Sequence, residues 1–86
     1  MVSVEEIIKR FGKFVKEISK KKYRKIEVDK KEKVSEEIKI FANLLEDKGF
    51  IDYAEELKAI SATVLRDGKI TNSDIAAFDK ILKKLR

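Results

Sequence analysis

Val4, Ile7, Ile8, Phe11, Phe14, Val15 and Ile18 recur at intervals of three or four residues. At about 100° per residue they fall within an arc of roughly 120°, the signature of an amphipathic helix. Ser3 opens it, and Glu6 three residues on completes a capping box. Carried further, the helix would turn Lys22 and Lys25 into the apolar arc, so the pattern ends it between Ser19 and Lys22. Residues 23–28 are read as a linker whose Ile26 and Val28 touch the core. Within it Lys25-Ile26-Glu27-Val28 alternates as a short extended segment would, and Tyr23 and Ile26 are spaced as in a helical turn.

A second helix is predicted from Asp29, with Glu32 as the partner of a second capping box. Val34, Ile38, Phe41 and Leu45 form its inner face with Leu44 beside them. Gly49 ends it in the left-handed position, and Phe50 is placed for the accompanying apolar contact. Asp52 and Glu55 suggest a third box opening a helix that turns Leu57, Ile60, Val64 and Leu65 inward and stops at Gly68. A fourth helix opens at Thr71 or Ser73 and sets Ile75, Phe78, Ile81, Leu82 and Leu85 on one side. The connections at 48–52 and 68–71 are short, which predicts antiparallel packing of helices 2, 3 and 4. The expected fold is all-α, a compact bundle of four amphipathic helices with short connections, in a single domain spanning residues 1–86.

Charge changes this picture. Residues 1–33 hold 12 Lys/Arg against 6 Asp/Glu, whereas residues 34–86 hold 9 against 10, so the net charge of +5 belongs to the first third of the chain. Lys9, Lys13, Lys16 and Lys20 lie 4, 3 and 4 residues apart, opposite the apolar arc of the first helix. At 1.5 Å of rise per residue they form a stripe roughly 16 Å long. The stripe leads into Lys20-Lys21-Lys22-Tyr23-Arg24-Lys25, a run with five cations, one aromatic ring and no acid. Together these residues form a candidate nucleic-acid-binding track: the cations neutralise phosphates and Tyr23 stacks on an unpaired base. The alternatives are a solvated face on a Lys-rich protein, and a Tyr23 ring laid over a neighbouring helix with its hydroxyl in water.

Two features of the apolar pattern need a separate reason. Gly12 sits inside the first helix at a cost of about 1 kcal/mol relative to alanine, which close approach of another helix, within the fold or from a partner, would explain. Ile40 lies off the inner face of helix 2, next to Leu44, and widens that arc to roughly 160°. Either the core wraps helix 2 on two sides, the reading preferred here, or Ile40 and Leu44 belong to a protein interface. A homodimer burying both is as compatible with the sequence as a monomer.

Other motifs reduce to structure. Asp67-Gly68-Lys69-Ile70 followed by Asp74 imitates the second half of an EF-hand loop. With Gly68 at the sixth position, however, the first and third ligands would be Thr63 and Leu65, and leucine does not coordinate calcium. A C-cap glycine followed by a hydrophobic residue returning to the core is the reading adopted. Ser73-Asp74-Ile75-Ala76 resembles the start of a helix-turn-helix, but Asp74 and Asp79 suit a recognition helix poorly.

The chain has no His, Cys, Trp or Pro. That excludes disulfides and thiolate metal sites, and leaves acid–base work to Asp, Glu, Lys or Tyr, most of whose carboxylates fall at caps or on polar faces. No glycine-rich phosphate loop or nucleophile–base spacing is evident. The expectation is a non-enzyme with no cofactor, no metal and no catalytic residue. No apolar run approaches a membrane span, and Glu5 and Glu6 interrupt any signal-peptide core, so cytoplasm is the expected location. Lys outnumbers Arg by 17 to 4 and Ile outnumbers Leu by 11 to 6, a balance found in thermophiles and also in AT-rich mesophiles.

These features lead to an accessory subunit of a nucleic-acid-processing complex. Its apolar edge docks on a larger protein, and its basic face lies towards nucleic acid, DNA rather than RNA. The alternatives are an autonomous, non-sequence-specific DNA- or RNA-binding protein, and a small helical subunit of an antiviral or viral assembly. In size, helical content, Lys/Ile-rich composition and basic first helix the chain resembles the small polymerase-binding subunits of crenarchaeal DNA polymerase holoenzymes. That resemblance implies a non-catalytic modulator of a replicative polymerase, archaeal in origin, and carries no site residue over.

Overall fold

The computed structural model describes residues 2–19 and 30–86. Among the described residues four helices form: α1 (Val4–Ser19), α2 (Lys31–Asp47), α3 (Ile51–Asp67) and α4 (Asn72–Leu85). The class is all-α, as the pattern predicts. The chain divides into two units, one holding α1 and α4 and the other α2 and α3. Antiparallel packing of consecutive helices therefore holds for α2–α3, while α4 belongs with α1.

In the first unit, Ser3 starts α1 by accepting the Glu6 N–H at its Oγ (3.2 Å) and the Ile7 N–H at its carbonyl (3.0 Å). Glu5 and Glu6 lie in the first turn and Lys16 in the last, the favourable sense for the helix dipole. Ile7, Phe11, Phe14 and Val15 are buried, as are Ile75, Phe78, Ile81, Leu82 and Leu85 of α4. Aromatic rings join the two helices. Phe78 meets Phe11 edge-on with centroids 5.6 Å apart, and Phe14 at 6.2 Å. Thr71 caps α4 in a complete capping box: its Oγ1 accepts the Asp74 N–H (3.1 Å), and the Asp74 carboxylate accepts the Thr71 N–H (3.0 Å).

In the second unit, Glu46 near the end of α2 pairs with Lys58 early in α3, and Ser35 near the start of α2 meets Ser61 late in α3. Those pairings make the hairpin antiparallel. Its turn is a Schellman motif. Gly49 takes φ 90°, its N–H donates to Glu46 O (3.0 Å), and the Phe50 N–H donates to Leu45 O (2.9 Å). The Phe50 carbonyl then accepts the Ala54 N–H (3.0 Å). One residue thus closes α2 and opens α3.

That economy corrects the predicted cap at Asp52. α3 begins at Ile51 with Phe50 as N-cap and no side-chain cap, which places Asp52 in its first turn. The second predicted box, Asp29 with Glu32, falls partly outside the described residues. α2 has Lys30 as N-cap with no side-chain cap, and Asp29 lies outside the described residues, as does the whole 23–28 linker. Leu65, expected inside, is 41% exposed, and Ser61 takes the buried place instead. Gly68 ends α3 at φ 67° and Ile70 returns to the core at 3% exposure. Asp67 is hydrogen-bonded by the Arg66 guanidinium at 3.1 and 3.3 Å, which holds its carboxyl below the ordinary value. The Asp67–Asp74 segment is therefore a helix stop followed by a helix start.

Candidate functional site

The outward face of α1 follows from its inward one. With Ile7, Phe11 and Phe14 fixed in the core, residues 9, 13 and 16 must point away from it. Lys9, Lys13 and Lys16 are all exposed and span about 10 Å of helix. Among the described residues none of the three has a carboxylate within ion-pairing distance. Arg10, on the same helix, is instead tied to Glu6 at 3.1 Å. That exposed i,i+4 pair adds only about 0.3–0.5 kcal/mol, but it removes Arg10 from the set of unpaired cations. Lys20, Lys21, Lys22, Tyr23, Arg24 and Lys25 lie outside the described residues.

The pairing of α1 with α4 adds cations that sequence reasoning missed. An open groove of about 620 Å³ runs between the two helices. Its walls include Val15 and Leu82. Lys16 of α1 faces it together with Lys83 and Arg86 from the end of α4, against one acid, Asp79. Residues 34–86 are nearly charge-balanced as a whole, so only the pairing of the two helices shows Lys83 and Arg86 beside Lys16.

Gly12 also lines this groove. Among the described residues, no other helix of the fold comes close enough to require it. A Cβ built at Gly12 would find Arg86 Nη2 at 4.0 Å, an ordinary contact with the end of a flexible side chain. Gly12 does not have a positive φ either. Gly12→Ala should therefore stabilise the protein by about 1 kcal/mol through helix propensity alone. A thermal melt should show a rise of about 4–8 °C, and a fall would reveal a steric role for the glycine.

On α2, Ile40 is 50% exposed and Leu44, one turn on, is half-buried. The core does not extend round α2 to Ile40, which corrects the preferred reading. Ile51 is exposed as well, at 47%. No helix among the described residues is long and apolar enough to cross a membrane.

Comparisons with protein families, characterised proteins and solved structures give no match to this chain. What the protein does has to be read from its own side chains.

Proposed function

We propose that the chain is a non-catalytic accessory subunit of a nucleic-acid-processing complex, with the basic face of α1 and the Lys20–Lys25 run turned towards the phosphate backbone. The observation that supports this reading is the one-sided display of Lys9, Lys13 and Lys16, exposed and without carboxylate partners among the described residues. Cations left unpaired on one helix face favour an anionic partner over a mixed, self-neutralising surface. A 10 Å stripe spans about three phosphates of one DNA strand at 3.4 Å each. The exposed Ile40, with Leu44 beside it, supports attachment to a larger protein. A replicative DNA polymerase is the specific partner suggested by the resemblance of the whole chain to polymerase-binding subunits.

Replacing Lys9, Lys13 and Lys16 together by serine should flatten the salt dependence of duplex DNA binding. Three lost phosphate contacts reduce the log–log slope by about 2.7. Fluorescence anisotropy across a salt series reads this directly, and an unchanged slope would overturn the α1 interface. Nuclease-treated affinity capture tests the accessory role. A stoichiometric protein that survives nuclease supports it, and loss of everything retained assigns an autonomous nucleic-acid binder.

A further inference from the structure

Gly12 is expensive where it stands, and neither its backbone conformation nor its neighbours among the described residues require it. What it does is leave space. Any larger side chain at position 12 would project into the groove between α1 and α4. A helix interior that gives up stability to keep a groove open suggests that the groove is occupied in use. We propose that this groove seats one nucleotide of a single strand, with its phosphate against Lys16, Lys83 and Arg86 and its base against Val15 and Leu82. The inference rests on the nucleic-acid reading above and adds a strand preference to it.

Four observations favour this occupant. The volume, about 620 Å³, lies within the usual range of small-ligand sites, about 300–1,000 Å³. Three cations against one carboxylate call for an anion. Lys16 belongs both to the α1 stripe and to the groove, so a backbone tracked along Lys9 and Lys13 arrives at it. The apolar walls suit the face of a base, and an unpaired base offers that face freely. A paired base must first be flipped out of its stack. Asp79 is acceptor-only when ionised, so it turns phosphate away and accepts from an exocyclic amine. That places the base on the Asp79 side.

The test measures binding of a short mixed-sequence single strand, and of the same sequence as a duplex, to wild type, Gly12→Ala, Gly12→Leu and Lys83→Ser/Arg86→Ser. Gly12→Leu should weaken single-strand binding by about tenfold, the loss of one base's apolar contact with Val15 and Leu82. It should leave duplex binding within about twofold and melt no lower than wild type. Lys83→Ser/Arg86→Ser should reduce the single-strand salt slope by about 0.7, the contribution of the one phosphate seated, so the inference stays testable if Gly12→Leu fails to fold. If wild type binds the single strand and both groove variants bind it equally well, this inference falls and the α1 interface stands. If wild type binds neither strand form, the functional reading falls with it. If Gly12→Leu keeps the strand but loses an oligo-glutamate peptide that wild type binds, the groove is a protein dock and the inference is overturned.

Discussion

Replacing Phe78 by alanine should cost about 3–5 kcal/mol, against a total stability of about 4–13 kcal/mol for a chain of this length. The Phe78 ring is fully buried and meets both Phe11 and Phe14 edge-on, so truncation removes two aromatic contacts as well as the buried area. Its neighbours are themselves large rings held by α1, and they cannot collapse into the space without moving that helix. At about 4–8 °C per kcal/mol, the melting temperature should fall by at least about 12 °C. Phe78→Leu, which keeps most of the volume, should lose less than half as much. A shift under about 4 °C for the alanine variant would place the ring outside the core.

Ser61→Val should destabilise by about 2–4 kcal/mol, from overpacking and a lost hydrogen bond together. Ser35 and Ser61 are 3% and 0% exposed and bring α2 and α3 close together. Ser35 Oγ lies 3.0 Å from Ser61 O, Ser61 Oγ lies 2.8 Å from Ser35 O, and the two hydroxyl oxygens are 2.7 Å apart. Two protons serve three such contacts. At any moment, therefore, either each hydroxyl donates to the opposite carbonyl, or one donates to the other, which in turn donates to a carbonyl. Valine at position 61 sets methyl groups against an oxygen 2.7 Å away and forces the helices apart. The double variant Ser35→Ala/Ser61→Ala should be far milder, within about 1 kcal/mol of wild type, because both partners leave together and alanine favours helix. Chemical denaturation of the two single alanine variants and the double closes a mutant cycle. A coupling below about 0.5 kcal/mol would mean the hydroxyls act independently.

The apolar spacing of α1 and α4 was legible because their buried side chains are large and regularly spaced. Ile75, Phe78, Ile81, Leu82 and Leu85 are all buried as read. The Thr71–Asp74 box was legible because its chemistry lies within four residues. Asp52 offered the same local chemistry and does not cap, because Phe50 closes one helix and opens the next. The Ser35–Ser61 contact gave no signal, since small polar residues read as surface until two helices bring them together. Lys83 and Arg86 were hidden for the same reason. Their charge is plain in the sequence, but their nearness to Lys16 depends on which helix α4 chooses. The Lys9, Lys13 and Lys16 stripe needed no partner helix to be seen, only the direction of its own core face.

The pairing of α1 with α4 also has a consequence in time. Three residues join α2 to α3, whereas all of residues 20–71 separate α1 from α4. Closing the longer loop costs about 2.5 kcal/mol more in chain entropy. During synthesis the middle hairpin can close while α4 is still unmade. Phe11 and Phe14 meet Phe78 only after that interval. Lys9, Lys13 and Lys16 flank them with like charge, which discourages two such chains from meeting there before each is complete.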